Sequence, residues 1–199
     1  MSRKVRLFVE GKADKKFIQD YITFLLGGNP DNLDINCIGG WTELPKAAQK
    51  FKEHSDADGV NLLIMDADDH PAARREQVLQ IKERAGIEFE LFLMPNDQAA
   101  GNLESVLYQI INPDHYVIFN CFDEYQNCLR NSSGSYHLPN LKSKIYAYLE
   151  ALLPRNQTEM LRDDKRNYKN TDHWNLNNPY LDPLRKFLLS DDYEYFSEY

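Results

Sequence analysis

The chain has 199 residues and a formal net charge of −8 at pH 7. This length suits one compact domain, or one core with a small appendage, and a hydrophobic content of 42% excludes a disordered chain. The acidic balance argues against a protein that wraps long duplexes through charge alone, because such binding needs a dense basic surface.

The cysteines and the apolar segments indicate the cellular compartment. Cys37, Cys121 and Cys128 show no Cys-x-x-Cys spacing, so neither a disulfide framework nor a thiolate zinc site is expected. No apolar run reaches the ~18 residues that a membrane-spanning helix requires, and the N-terminus has no secretory apolar segment. We therefore expect a cytoplasmic protein that does not associate with membranes.

The first 110 residues alternate short apolar runs with amphipathic stretches. The predicted strands span 5–9, 33–38, 61–65 and 88–93, and the helices that follow them span 15–26, 41–54, 71–86 and 102–111. We expect Asp14 to cap the first helix and Thr42 the second. Four β-then-α units in series predict an α/β fold with a parallel, Rossmann-like sheet flanked by helices.

The rest of the chain has a different pattern. Helical periodicity covers 114–129, 140–153 and 181–190, whereas 154–175 is polar and irregular. We therefore divide the chain into an α/β domain (1–112), a mainly helical extension packed on it through aromatic residues from Tyr116 to Phe122 (113–190), and an acidic, solvated tail (191–199).

Acidic residues follow two of the predicted strands. Glu10 comes directly after the first strand, and Asp66 and Asp68 come directly after the third. Functional groups of an open α/β sheet collect at the carboxyl ends of its strands, so these side chains meet if the first and third strands are neighbours. Alternate residues of an extended segment point the same way, so Asp66 and Asp68 can face one cation.

Three neighbouring carboxylates need a compensating charge. Like charges raise each other's pKa, and a hard divalent cation removes the repulsion. Oxygen ligands suit Mg²⁺ or Mn²⁺, and the waters that Mg²⁺ retains leave room for phosphate oxygens. The alternative is structural: Glu10-Gly11 as an ordinary turn, and Asp68 or Asp69 as the cap of the third helix. The joint occurrence of both motifs favours the metal site.

Two of these segments resemble a known family. Val9-Glu10-Gly11-Lys12-Ala13-Asp14, together with Leu63-Ile64-Met65-Asp66-Ala67-Asp68, resembles the Toprim domain shared by topoisomerases, primases and OLD-type nucleases, over residues 3–110. The resemblance implies that Glu10, Asp66 and Asp68 are the Mg²⁺-binding and catalytic residues.

The resemblance extends further along the chain. The segments 93–104 and 174–188 are similar to a small, uncharacterised bacterial group of Toprim proteins close to the OLD-type nucleases. No Walker A motif is present, and 199 residues leave no room for the additional domains of the large Toprim enzymes. A strand-passing topoisomerase or a self-contained primase is therefore not expected.

Two further acids are candidate metal ligands. Asp14 lies four residues after Glu10, as a second acid does in OLD-type sites, and Glu104 lies in the first turn of the fourth helix. Helix capping is an equal alternative for both. In a two-metal scheme, Glu10 with Asp14 holds one ion and Asp68 with Glu104 holds the other, with Asp66 bridging them.

Basic and amide side chains near the acids are candidates for substrate binding. The set comprises Lys12, Lys15, Asn96 and Asp97, with Arg74 and Arg75 as further phosphate contacts and His70 as a weaker candidate. Lys142, Lys165 and Arg166 are alternatives for a basic partner opposite the metal, and the sequence does not select among them.

Three functions remain open at this point. The first is a Mg²⁺-dependent nuclease or related phosphoryl-transfer enzyme acting on DNA or RNA. The second is a non-catalytic module that binds metal and nucleic acid or nucleotide for a larger complex, either as a homo-oligomer or with a partner protein. The third, a phosphoacceptor or haloacid-dehalogenase-like phosphatase, is disfavoured because Asp66-x-Asp68 follows the third strand rather than the first.

Overall fold

A parallel β-sheet forms the centre of the molecule. The computed structural model describes residues 3–27 and 33–195. The strands are β1 (Arg3–Val9), β2 (Ile35–Cys37), β3 (Val60–Asp66), β4 (Glu90–Met94) and β5 (Tyr193–Glu194). Their order is β2-β1-β3-β4, β5 also pairs with β1, and every pairing between these strands is parallel. The predicted α/β fold is confirmed.

Helices cover both faces of this sheet. They are α1 (Lys12–Leu26), α2 (Leu44–Asp56), α3 (Pro71–Ala85), α4 (Leu103–Gln109), α5 (Tyr116–Asn131), α6 (Leu141–Leu152) and α7 (Asp182–Leu188). Short 3-10 turns occur at Trp41–Glu43, Pro113–His115, Arg155–Leu161 and Pro179–Leu181. Within the described ranges, no helix has the length and apolarity needed to cross a membrane.

The central strand β3 contributes to a hydrophobic core on each face of the sheet. Leu62 and Ile64 belong to the core under α1, α4, α6 and α7, whereas Leu63 and Met65 belong to the core under α2 and α3. This alternation explains why the whole run is apolar: a parallel strand covered on both faces has no solvent-facing side.

The C-terminal half shares the first of these cores. Phe119, Tyr148 and Trp174 pack in sequence, with ring centroids 5.2 and 5.6 Å apart. Asp20 of α1, which is 1% exposed, accepts a hydrogen bond of 2.9 Å from the backbone N–H of Tyr168. The predicted aromatic contact thus rests on Phe119, whereas Tyr116 and Val117 are exposed.

The end of the described chain differs from the sequence expectation. Tyr193 and Glu194 of β5 pair with Arg3 and Lys4 of β1, and Tyr195 is 8% exposed with its hydroxyl donating to the Leu188 carbonyl. The prediction of a solvated acidic tail is therefore wrong over 193–195, because backbone pairing and aromatic burial outweigh the acidic composition there. Residues 196–199 lie outside the described part of the chain.

Two helix starts, and the N-cap of a third helix, also differ from prediction. Helix α1 begins at Lys12 with Gly11 as its N-cap, and Asp14, three residues on, accepts the Gly11 N–H at 2.8 Å. The 3-10 turn at Trp41–Glu43, which contains Thr42, precedes α2, because Pro45 fits only the first helical turn. Pro71 likewise fixes the first position of α3, so that His70 is its N-cap rather than Asp68 or Asp69.

Candidate metal centre

The sheet brings Glu10 and Asp66 to one edge. Strands β1 and β3 are parallel neighbours in which Val9 pairs with Ile64, so Glu10 emerges beside the last residues of β3. The Asp66 backbone lies close enough to Glu10 to lower the pKa of that carboxyl, although burial raises it overall. The two acidic motifs that are far apart in sequence therefore lie at the same edge of the sheet.

Asp66 lies at the centre of a group of five carboxylates. Burial raises its pKa to about 8, and four other carboxylates add to that rise: Asp14, Glu10, Glu104 and Asp68. Its Oδ1 accepts a hydrogen bond of 3.2 Å from the N–H of Leu103, at the start of α4. We refer to Glu10, Asp14, Asp66, Asp68 and Glu104 as the acidic cluster.

Asp14 and Glu10 share this electrostatic environment. Burial raises the pKa of Asp14, although the Gly11 N–H stabilises its charged form, and Glu104 raises the pKa further. Burial also raises the pKa of Glu10, with Asp14 and Asp68 adding to the effect and Arg74 opposing it. Burial and like charge thus act in the same direction on both groups.

Asp68 lies in the loop after β3, and Glu104 lies in the first turn of α4. Asp68 has a left-handed backbone (φ 50°) held by a backbone bridge to Gly101, and its carboxylate forms an ion pair with Arg74. Glu104 lies in the first turn of α4, where Asn102 and Ser105 form the capping box. The capping-box alternative for Glu104 is therefore wrong, and its carboxylate lies 3.8 Å from Lys142 Nζ.

The carboxylate oxygens of the acidic cluster are chemically suited to a hard cation, but their side chains are not oriented toward a common point. In the part of the chain that the structure describes, no three His, Cys, Asp or Glu side chains are arranged to hold a metal ion. The carboxylates face protein donors instead, such as Leu103 N–H for Asp66 and Arg74 for Asp68. Carboxylate oxygens are the ligands that Mg²⁺ and Mn²⁺ prefer, so binding requires rotation of side chains already in place.

Arg74 lies beside the acidic cluster with unused donors. Its guanidinium stacks over the Trp41 ring at 5.1 Å from the centroid, and one nitrogen pairs with Asp68. Its Nε and Nη1 are buried without a hydrogen-bond partner. Asp68, His70 and Arg74 line an adjoining cleft of about 190 Å³. This cleft places one cation, Arg74, next to the acids.

Most of the predicted substrate-binding residues are engaged in local structure. Lys15 Nζ donates to the Ile35 carbonyl at 2.8 Å, and Lys12 is exposed. The side chain of Asn96 accepts hydrogen bonds from the backbone of its own loop. Asp97 accepts from the Leu93 N–H and forms an ion pair with Arg75 at 2.6 Å. Asn96 and Asp97 shape the loop after β4, and their roles toward a substrate stay predictions.

The structure distinguishes the three basic candidates of the C-terminal half. Lys142 reaches the acidic cluster through Glu104 and also lies 2.5 Å from Asp163. Arg166 is 1% exposed and pairs with Asp163 at 2.6 Å, whereas Lys165 is exposed. Sequence reasoning missed Asp163, because it lies in an irregular stretch without periodicity. Its i,i+3 spacing to Arg166 was the available signal.

This chain is similar to one protein family and to one region of known structure. The family model described as "Protein of unknown function (DUF3226)" matches residues 4–190. The chain belongs to the DUF3226 family. No curated protein matches its sequence. Among solved structures, this DUF3226 chain is similar to the C-terminal region of the Burkholderia pseudomallei OLD protein, at 16% identity and a TM-score of 0.40, over 94% of this chain and 99% of that one.

Proposed function

We propose that the acidic cluster binds Mg²⁺ or Mn²⁺ in the manner of a Toprim domain, and that the protein acts on nucleic-acid phosphodiesters as a nuclease or a related phosphoryl-transfer enzyme. Glu10, Asp66 and Asp68 are the proposed ligands, and Asp14 and Glu104 complete the set.

The observation that carries this proposal is the place of Asp66 at the sheet edge beside Glu10, where burial and neighbouring carboxylates disfavour its charged form. Its pKa is raised to about 8 by burial and by four neighbouring carboxylates. A partly buried cluster of like charges is unfavourable unless protons or a cation compensate it. Near neutral pH, a divalent cation would stabilise the charged carboxylates that ligate it, and an all-oxygen ligand set suits a hard cation such as Mg²⁺ or Mn²⁺.

The surrounding side chains suit a phosphate substrate. Arg74 pairs with Asp68 and Lys142 lies next to Glu104, so two positive charges flank the acidic cluster and suit a phosphate group. As an alternative to metal ligation, Glu10, whose pKa burial raises, suits a group that accepts and returns a proton. When bound, a divalent cation supplies charge stabilisation at the phosphate.

Metal binding is the first test. Isothermal titration calorimetry of Mn²⁺ into the purified protein should give saturable binding, weakened by about tenfold or more in Asp66→Asn and in Asp68→Asn. Asp69→Asn is the matched control, because it removes an exposed adjacent carboxylate. Equal Mn²⁺ affinity in the wild type and both cluster variants would contradict the proposed site.

Cleavage is the second test. Single-stranded DNA, duplex DNA and RNA are incubated with Mg²⁺ or Mn²⁺, and the same variants should lose about a hundredfold or more of the metal-dependent rate. Metal binding without turnover on any of these substrates would support the alternative, a binding module that serves a larger complex. Turnover that survives in Asp66→Asn would place the chemistry elsewhere.

A further inference from the structure

A cation from the C-terminal half of the chain lies at the rim of the acidic cluster. Lys142 belongs to the first turn of α6, and its Nζ lies 3.8 Å from Glu104 and 2.5 Å from Asp163. The side chain of Lys142 is 57% exposed, so packing does not fix this long and flexible group. Its position therefore depends on the two carboxylates with which it pairs.

The two ion pairs of Lys142 are unequal. The contact with Asp163 is much the shorter of the two. Asp163 is also the main cause of the raised pKa of Lys142, whereas Glu104 contributes less to it. Asp163 is thus the principal partner of this lysine, and Glu104 is the secondary one.

Asp163 is itself held by a buried cation. Arg166 is 1% exposed, and its Nη2 lies 2.6 Å from Asp163 Oδ1. The other carboxylate oxygen, Oδ2, faces Lys142. Between Asp163 and Arg166 the chain makes a turn in which the Lys165 N–H donates to the Arg162 carbonyl at 2.9 Å. An exposed lysine is therefore tied, through one carboxylate, to a buried arginine.

The segment that carries Arg166 is attached to the first helix of the sheet domain. Tyr168, two residues further on, is fully buried, and its N–H donates to Asp20 of α1 at 2.9 Å. The Tyr168 ring also packs edge-on against Phe17 of α1, with centroids 5.3 Å apart. These contacts fix the turn that contains Asp163 relative to the helix that starts at the sheet edge.

A lysine beside a metal ligand has two opposing effects. If it pairs closely with Glu104, it competes with a cation for a carboxylate of the kind that Mg²⁺ and Mn²⁺ prefer. If it stays at the rim, its charge suits a phosphate group next to the metal. The shorter contact with Asp163 favours the second arrangement, because it draws the ammonium group away from Glu104.

We propose that Asp163 is a positioning residue, which holds Lys142 at the rim of the acidic cluster and keeps it from occupying Glu104. Glu104 then stays available to a divalent cation. This inference rests on the proposed metal site, and it adds that the C-terminal half of the chain completes that site. Asp163 acts through Lys142 and does not itself contact the metal.

Mn²⁺ affinity in a double-mutant cycle tests this role. Without the Asp163 carboxylate, Lys142 turns to Glu104, so Asp163→Asn should weaken Mn²⁺ binding by about three- to tenfold in isothermal titration calorimetry. In a protein that also carries Lys142→Gln, the same change should alter the affinity by less than about twofold. Asp163→Glu keeps the charge and should restore Mn²⁺ affinity to within about twofold of the wild type.

The chain offers a matched control for this cycle. Asp164 is the adjacent acid and pairs with Arg162 rather than with Lys142. Asp164→Asn therefore removes the same charge from the same turn, and it should bind Mn²⁺ as the wild type does.

A spectroscopic signature separates positioning from a general loss of structure. In metal-free protein, the ¹⁵N resonance of the Lys142 ammonium group is assigned by its absence in Lys142→Gln. This resonance should shift in Asp163→Asn and stay in place in Asp164→Asn. An unchanged Lys142 resonance in Asp163→Asn would overturn the proposal.

The buried charge of Arg166 requires a second background. Asp163→Asn removes its carboxylate partner, which is costly for a buried cation. If Asp163→Asn does not give a folded circular dichroism spectrum, the same cycle is measured in Arg166→Met, where no guanidinium is left unpaired. The weakening of Mn²⁺ binding should again depend on the presence of Lys142.

The outcomes distinguish this proposal from the proposed function. Mn²⁺ binding that Asp66→Asn weakens but Asp163→Asn does not overturns the role of Asp163 and leaves the metal site standing. Equal weakening by Asp163→Asn with and without Lys142 has the same meaning. A wild type without saturable Mn²⁺ binding overturns the metal site, and this role of Asp163 with it.

Discussion

The acidic cluster and the ion pairs of the C-terminal half differ in how their charges are compensated. The first gathers five carboxylates around Asp66, and Arg74 and Lys142 are the cations that pair with its members. The second holds Arg166, whose guanidinium pairs with Asp163, and Asp163 also pairs with Lys142. Negative charge is therefore in excess at the sheet edge, whereas the C-terminal half compensates its buried cation within the protein.

The two regions meet at Asp163. This carboxylate lies between Lys142, which reaches Glu104, and the buried Arg166. Asp163 is therefore the carboxylate through which ion pairs join the two regions, and substitutions on either side of it separate their contributions.

The largest expected effect is the change in the free energy of unfolding with pH that Asp66 causes. Its folded-state pKa of about 8 exceeds the ordinary value near 4, so the folded protein keeps a proton that the unfolded chain loses. The free energy of unfolding should therefore fall as pH rises from about 4 to about 8, by at most about 1.4 kcal/mol per pH unit. In EDTA, Asp66→Asn should be more stable than the wild type at pH 8, with the difference vanishing near pH 4.

Urea unfolding at several pH values measures this difference. Asp69→Asn, which removes an exposed carboxylate, should follow the wild-type profile. Parallel profiles for Asp66→Asn and the wild type would mean that Asp66 is not held at a raised pKa, and the first half of the comparison would fail.

A smaller loss of stability is expected at Asp20. This buried carboxylate of α1 accepts the Tyr168 N–H and pairs with Lys16 at 2.6 Å, which ties the segment bearing Arg166 to the sheet domain. Asp20→Ala leaves a buried N–H unpaired and should cost about 2–3 kcal/mol in urea unfolding. Asp20→Asn keeps an acceptor and should cost about half as much. Equal losses in the two variants would show that charge rather than the backbone contact ties the segment down.

An intermediate loss of stability is expected at Arg166. Removing one partner of a buried ion pair costs about 3–5 kcal/mol when the other charge is left unpaired. Arg166→Met leaves Asp163 paired with Lys142, so it should cost less, about 1–2 kcal/mol in urea unfolding. A loss of more than about 3 kcal/mol would show that Lys142 does not compensate Asp163 in the variant.

The smallest stability effect is expected at Lys142. Its side chain is 57% exposed, so Lys142→Gln should cost about 0–1 kcal/mol. Its charge lowers the pKa of Asp14, so the substitution should raise that pKa, as followed by NMR titration of the Asp14 carboxyl. Lys165→Gln serves as the control of equal charge. An unchanged Asp14 pKa would show that Lys142 is not electrostatically coupled to the acidic cluster.

Local patterns were sufficient where one segment carries its own signal. The continuous apolar run over 61–65 predicted a strand buried on both faces, and β3 occupies Val60–Asp66. The meeting of Glu10 and Asp66 at one sheet edge was predictable, because side chains that follow neighbouring parallel strands emerge at the same edge. Helix starts were predicted less well. Asp14 was predicted as the N-cap of α1, but it lies inside the first turn and accepts the Gly11 N–H.

Sequence alone determined the α/β class, the parallel sheet and the positions of the strand-end acids, because apolar periodicity and strand ends are local properties of the chain. The tertiary structure alone decided the pairing of Tyr193 with Arg3, the union of both halves in one core, and the burial of Arg166 beside Asp163. These features depend on which distant segments meet and on what each buried polar group finds there, and no local pattern encodes that information.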